Sequence, residues 1–240
     1  MKKIDLKNKK FLIGGAVLIV ILIVAVIVLS LSGSKDALKF KSEYEKLNGV
    51  EVSNGNVYQT MKIDRRNKVK YATLDEARDF LVNETGLIYF GMPECPWCRG
   101  VIPTLFEEVK KSSLKNILYV DVKDLRNTYS IVDDKPVETK KASQAYYDIL
   151  SILDKYLDNY KVQDDDGVEH VLQEKRLYVP MVVAVREGKV VDAHIGSVDL
   201  NSSQTPYDEL SAVQKSELSI IFNRLIDSLS KDKDACDGHC

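Results

Sequence analysis

Cys95 and Cys98 stand in the stretch YFGMPECPWCRGVIPTLFEEV, residues 89–109, separated only by Pro96 and Trp97. Two thiols at this spacing could form a redox-active pair, half of a metal site, or a structural staple. Their surroundings decide between these. The preceding LIYFG is a short apolar run suited to a buried central strand. The following RGVIPTLFEEVKKSS spaces Val101, Leu105 and Val109 along one helical face, with a kink expected at Pro103. A thiol at the start of that helix meets free backbone N–H groups and the positive end of the helix dipole. Both stabilise a thiolate, so the Cys95 pKa is expected to fall below the roughly 8.5 of a free cysteine. Cys98, one turn further in, is expected to be less exposed and to act as the resolving thiol. Pro96 contributes no N–H near the sulfur, and Trp97 offers apolar surface to a partner. A lone C-x-x-C is a weak zinc signal, because two further ligands must come from elsewhere.

A second pair, Cys236 and Cys240, closes the chain as CDGHC with His239 between them. This tail could form a local disulfide, exchange with the Cys95 pair, or bind a metal. The last is disfavoured because the tail offers only three candidate ligands, fewer than the four a structural zinc site takes. His170 and His194 are isolated in strand-like segments and read as ordinary surface or core residues. No metal and no bound cofactor is expected.

The elements that must position the cysteines can be traced along the chain. DALKFKSEYEKLNG has Leu38, Tyr44 and Leu47 at helical spacing and is either a stalk helix or the first element of the domain; NGNVYQTMKID reads as an edge strand. TLDEARDFLVNETG carries Thr73 as N-cap and Glu76 as its capping-box partner, with Ala77, Phe80 and Leu81 inward. Its Asn83-Glu84-Thr85 reads as polar capping at the helix end. NILYVDV is a further strand. KKASQAYYDILSILDKYLDNY, residues 140–160, follows 3 and 4 spacing through Ala142, Ala145, Tyr146, Ile149, Leu153, Tyr156 and Tyr160. VQDDDGVEHVLQEKRLYV reads as a turn leading into a strand, and PMVVAVREGKVVDAHIG as two strands across a Glu187-Gly188 turn. A closing helix buries Leu210, Leu218, Ile221, Phe222, Leu225 and Leu229. The order of helices and strands predicts an α/β layered fold.

The 240 residues are 45% hydrophobic, enough for one good-sized core, and the net charge of -2 with mixed signs gives no nucleic-acid footprint. FLIGGAVLIVILIVAVIVLS, Phe11 to Ser30, carries no charge. At about 1.5 Å per residue it matches a hydrocarbon core of roughly 30 Å, and it is longer than a cleavable signal's apolar stretch. Lys2, Lys3, Lys7, Lys9 and Lys10 precede it, opposed only by Asp5, which keeps that end in the cytoplasm. The reading is a cytoplasmic basic segment at 1–10, a single-pass plasma-membrane anchor at 11–32, a stalk at 33–60, a domain at 61–231 and a cysteine-containing tail at 232–240. The domain then faces an oxidising, extracytoplasmic space.

Strand, Cys95-Pro96-Trp97-Cys98, helix, strand, helix, Val179-Pro180 opening a hairpin, and a closing helix together resemble the thioredoxin superfamily over roughly residues 70–230. That resemblance implies a thioredoxin-like fold with a central mixed sheet flanked by helices, here carrying a helical insertion between Val122 and Pro180. It implies catalysis by Cys95 and Cys98, with Pro96, Trp97, Val179 and Pro180 meeting substrate, and a cis Val179–Pro180 bond facing the thiols. On the residues alone, Pro180 reads as a trans proline starting a strand. Two departures stand out. Pro-Trp replaces the Gly-Pro of ordinary thioredoxins, so their reducing potential does not carry over. Tyr89 occupies the place where thioredoxins usually bury an aspartate, with Glu94 a candidate substitute that otherwise reads as a solvated carboxylate. The implied function is an extracytoplasmic thiol-disulfide oxidoreductase acting on protein thiols and disulfides, recharged by a membrane electron donor or an oxidant, in a bacterium, with Gram-positive preferred. The alternative is a thioredoxin-like binding module that acts without turnover, for example in bacteriocin export or envelope assembly. The aromatic insertion, with Tyr146, Tyr147, Tyr156 and Tyr160, is either padding or a partner-selecting surface.

Overall fold

The computed structural model describes residues 33–230. In chain order they form α1 (Lys35–Glu45), β1 (Val69–Tyr71), α2 (Leu74–Asn83), β2 (Gly86–Gly91), α3 (Pro96–Lys111), β3 (Ile117–Asp121), β4 (Thr128–Val132), β5 (Lys135–Lys140), α4 (Gln144–Leu153), β6 (Asn159–Gln163), β7 (Glu169–Lys175), β8 (Met181–Arg186), β9 (Lys189–Ile195) and α5 (Ala212–Asp227). Five strands make one mixed sheet in the order β1-β3-β2-β8-β9. β3 runs parallel to β1 and β2, whereas β8 is antiparallel to both β2 and β9. β4–β5 and β6–β7 are separate antiparallel hairpins.

Period-2 alternation in the central strands divides the core into two layers. Leu87 and Tyr89 of β2, Ile117 and Tyr119 of β3, and Val182 and Ala184 of β8 face α1, α3 and α5. Ile88 and Phe90, Leu118 and Val120, and Met181, Val183 and Val185 face α2 and α4 on the other side. Every residue of β2 is buried, as a strand covered on both faces requires. A mixed α/β architecture with a central mixed sheet is therefore established.

Local chemistry fixes the element ends. Thr73 caps α2 with a reciprocal Glu76 bond, and Ser211 with Gln214 does the same for α5. The β8–β9 hairpin turns at Glu187 (φ 50°) and Gly188 (φ 69°), the left-handed pair that a two-residue hairpin loop demands. Glu108 of α3 is buried, where Lys111 (3.0 Å), Ser219 (2.8 Å) and Asn223 (3.0 Å) satisfy its carboxylate and join α3 to α5. α3 continues unbroken through Pro103, although that residue has no N–H to give to the Arg99 carbonyl.

Several sequence expectations need correction. α1 is the first element of the packed body: Phe40 and Tyr44 lie in the same core layer as the sheet, so residues 33–60 are no separate stalk. Its buried stripe is Ala37, Phe40 and Tyr44, with Leu38 turned outward. Asp36 accepts the Tyr71 N–H at 3.0 Å, which ties α1 to the edge strand β1. Gly33 lies directly against the Arg65 carbonyl, leaving no room for a Cβ. The expected edge strand after residue 54 reduces to one Glu51–Val57 bridge. Side chains replace a ladder there: Asn48 brackets Met61, donating to its carbonyl at 2.8 Å and accepting its N–H at 3.1 Å. The helix expected over 140–160 spans only Gln144–Leu153, followed by a 3-10 turn at Asp154–Tyr156, and Tyr160 belongs to β6. The insertion is thus one short helix between two hairpins, of which β4–β5 has no precedent in the sequence reading.

No helix among the described residues is long and apolar enough to cross a membrane. The expected span at 11–32 and the cysteine tail at 232–240 lie outside the described residues.

Candidate thiol site

The cysteine pair sits where the carboxyl end of β2 meets the amino end of α3. Cys95 is the N-cap residue of α3, in extended conformation, and Pro96 follows in the first turn. Proline suits that place because its fixed φ is helical and its missing N–H would have no helical acceptor. The capping atom is the sulfur itself: Cys95 Sγ accepts the Cys98 N–H at 3.1 Å. The Cys95 N–H closes the preceding turn onto the Met92 carbonyl at 3.2 Å, and the Arg99 N–H reaches the Cys95 carbonyl at 3.1 Å.

Both thiols are free, and they differ in environment. Cys95 is 5% exposed and Cys98 fully buried. A hydrogen bond from the Cys98 thiol, opposed by burial and aided by the backbone N–H groups of Cys98 and Trp97 and the charge of Arg126, brings the Cys95 pKa below its ordinary value. Burial, followed by the hydrogen bond and charge of Cys95, pushes the Cys98 thiol well upward. Of two adjacent thiols, one is thus disposed to ionise and the other is held protonated.

The opposite wall comes from the segment before β8. The Val179–Pro180 bond is cis, and the Cys95 thiol lies 3.7 Å from the Val179 carbonyl. Trp97, 37% exposed, and Val179 line a surface groove of about 380 Å³ with Tyr178, Ile195 and Ser197. Cys95, Cys98, Trp97 and Val179 are therefore brought together. Pro96 is half-buried beside them, and Pro180 is buried at the base of β8. A larger groove, of about 530 Å³, between residues 61–68 and the outer face of α3 touches neither thiol.

Beneath the pair, Tyr89 takes the position expected from the sequence. It is fully buried, its ring stacks on Tyr119 at 5.5 Å, and its hydroxyl lies beside the Cys98 thiol and the Tyr44 hydroxyl without a well-formed hydrogen bond to either. Burial, then the nearby Cys98, drives its own pKa far upward, while its hydroxyl works against the upward push on Cys98. Glu94 is not the solvated carboxylate expected: it pairs with Lys123 at 2.6 Å and has one oxygen buried. Burial would raise its pKa, but the Lys123 bond holds it below the usual range. Asp121, at the end of β3, is the carboxyl that does move upward, through burial first and then, against a bond from the Lys123 N–H, the charges of Glu94 and Glu43.

Two arginines were missed. Arg99 is fully buried without a carboxylate: Nη1 donates to the Tyr44 carbonyl at 2.7 Å, and Nη2 to Asn48 Oδ1 at 2.7 Å and the Gln59 carbonyl at 2.9 Å. Helical spacing could have revealed it, since Arg99 stands three residues before Ile102 on the inward stripe. Tyr58, stacked near the same guanidinium, donates to the Glu94 carbonyl at 2.7 Å and ties this segment to the thiol loop. Arg126 approaches from the β3–β4 loop, where no periodicity marks it.

No protein-family model matches the chain, and no curated protein matches it. His170 pairs with Asp164 at 2.8 Å on the β6–β7 hairpin, away from the thiols. His194 is half-buried on β9 against the Phe222 ring. The described residues hold no group of three or more His, Cys, Asp or Glu able to bind a metal.

Proposed function

We propose that the protein is a membrane-anchored, extracytoplasmic thiol-disulfide oxidoreductase of the thioredoxin superfamily that exchanges disulfides with protein substrates through Cys95 and Cys98. The observation that carries this reading is the bond from the Cys98 N–H to Cys95 Sγ at a helix N-terminus, with Cys98 sealed behind it. A stabilised thiolate that can reach a substrate, backed by a buried thiol within one helical turn, is the arrangement that two-step disulfide exchange needs. The mixed sheet, the placement of the thiols at the start of α3 and the cis Val179–Pro180 bond support the family reading. The anchor at 11–32, with the N-terminus cytoplasmic, rests on the apolar run and the basic residues before it.

In the reducing direction, the Cys95 thiolate attacks a substrate disulfide and forms a mixed disulfide, and the departing substrate sulfur takes a proton. Cys98 then loses its proton and attacks Cys95 Sγ, releasing the second substrate thiol. Two electrons pass to the substrate, and a Cys95–Cys98 disulfide remains to be reduced by a membrane donor. The oxidising direction is the reverse, recharged by an oxidant.

Equilibration of the full chain in detergent against a glutathione series tests the proposal. A reversible two-electron transition that disappears in Cys95→Ser supports it. A midpoint near about -270 mV marks a reductant and one near about -120 mV an oxidant. Absence of any transition overturns the reading in favour of a binding module without turnover. A version lacking the last five residues shows whether Cys236 and Cys240 join the exchange.

A further inference from the structure

Arg126 reaches the thiol site from the loop between β3 and β4, and its contacts are those of a charge without a counter-ion. Nη1 donates to the Leu177 carbonyl at 3.3 Å, Nη2 meets Met92 Sδ at 3.8 Å, and Nε is buried with no acceptor. Met92 lies three residues before Cys95, and Leu177 two before Val179. The guanidinium is therefore wedged between the two chain segments that wall the Cys95 sulfur. No carboxylate among the described residues pairs with it. Its titratable surroundings are Arg176 after β7, Tyr146 of α4, Tyr160 of β6 and Cys95. Arg176, held by the Asn127 carbonyl and side-chain oxygen and by the Tyr160 ring, is a second cation and offers Arg126 no counter-charge. Around Cys95 the other titratable neighbours are Cys98, Tyr58 and Tyr89, and none of these is cationic. A guanidinium stays charged, and one partly buried and left without a carboxylate favours any anion that forms beside it.

We propose that Arg126 is the charge partner of the Cys95 thiolate and favours the dithiol form of the pair over the disulfide. This rests on the oxidoreductase reading and deepens it by giving a direction. In the oxidising direction a substrate thiolate attacks Cys95 Sγ of the Cys95–Cys98 disulfide, and Cys98 leaves and takes a proton. A second substrate thiolate then attacks the substrate sulfur of the mixed disulfide and expels Cys95. The substrate gains a disulfide, the protein keeps two electrons, and the group expelled last is the Cys95 sulfur. A stabilised thiolate is the better leaving group. The substrates most favoured are therefore reduced protein thiols.

The test uses the full chain in detergent, with Arg126→Gln and Arg126→Lys. Two quantities are read: the pH midpoint of Cys95 alkylation, and the dithiol-to-disulfide ratio in a fixed glutathione buffer. Arg126→Gln is expected to raise the midpoint by about one pH unit and shift the ratio roughly tenfold toward disulfide. Arg126→Lys, which keeps the charge and most of the packing, is expected to recover part of both. Unchanged midpoint and ratio with a lowered melting temperature would make Arg126 a brace for Met92 and Leu177 and overturn the inference. If the wild type shows no reversible transition, the oxidoreductase reading falls, while the alkylation midpoint still reports on the charge pairing.

Discussion

The Cys95 sulfur accepts the backbone N–H of Cys98 at 3.1 Å, so the atom proposed to react also closes the first turn of α3. The proposed reactivity and the helix cap reside in one group, and substitutions can separate them.

Serine is a good N-cap, so Cys95→Ser keeps the turn and is expected to change stability by less than about 1 kcal/mol while abolishing adduct formation. Cys98→Ser leaves the nucleophile without its resolving partner and is expected to accumulate a mixed disulfide with substrate. Non-reducing electrophoresis after acid quenching distinguishes the two. A mixed disulfide in Cys95→Ser would assign attack to the wrong thiol.

The two thiols give opposite pH signatures. The Cys95 pKa is depressed, so its stabilising contribution to the reduced fold is present above its unfolded pKa and lost as pH falls through the folded value. The Cys98 pKa is raised, so its contribution is present below its unfolded pKa and lost as pH rises. In Cys95→Ser only the second remains, and urea midpoints of the reduced protein are expected to fall between about pH 8 and 9, before the tyrosines of the unfolded chain titrate. A flat profile across that window would mean that Cys98 is not held in its neutral form.

Tyr89→Phe removes a buried hydroxyl that lies beside the Cys98 thiol and the Tyr44 hydroxyl without a well-formed hydrogen bond to either. Stability is expected to hold or rise by on the order of 1 kcal/mol, because an unsatisfied polar group is lost. The resolving step is expected to slow several-fold, since that hydroxyl eases deprotonation of Cys98. The lifetime of the mixed disulfide in rapid-quench experiments measures this, and an unchanged lifetime would remove Tyr89 from the mechanism.

Arg99→Ala deserts three oxygen acceptors and leaves a cavity beneath residues 44–59. A loss of roughly 3 kcal/mol or more is expected from the urea midpoint. Limited proteolysis should then cut first within residues 48–61, the segment this side chain pins. Arg99→Lys, with a single ammonium, cannot span all three acceptors and is expected to recover only part.

What was legible in the sequence follows from how locally each feature is encoded. The apolar run of β2, the Thr73–Glu76 capping box and the Glu187–Gly188 turn each depend on neighbours a few residues apart, and all appear where expected. The 140–160 helix was over-read because Tyr156 and Tyr160 continue its spacing by coincidence: the chain leaves the helix at Leu153, and Tyr160 packs on Tyr129 of the other hairpin. β4–β5 escaped notice because its faces are largely exposed and its turn uses Asp133 (φ 48°) and Asp134 (φ 58°) in place of glycine. In the site, the cysteines announce themselves. Arg126 does not, because its role depends on Met92 and Leu177, residues 34 and 51 positions away.

The packing of α1 bears on where the proposed activity could work. Asp36 is bonded to β1, Phe40 and Tyr44 are sunk in the core, and Gly33 is pressed against Arg65. With residues 11–32 in the bilayer as proposed, almost no slack chain would separate lipid from the thiol site. So placed, it could not search a volume on a long leash; it would patrol a surface, and its clients would be those that emerge from or reside at the membrane.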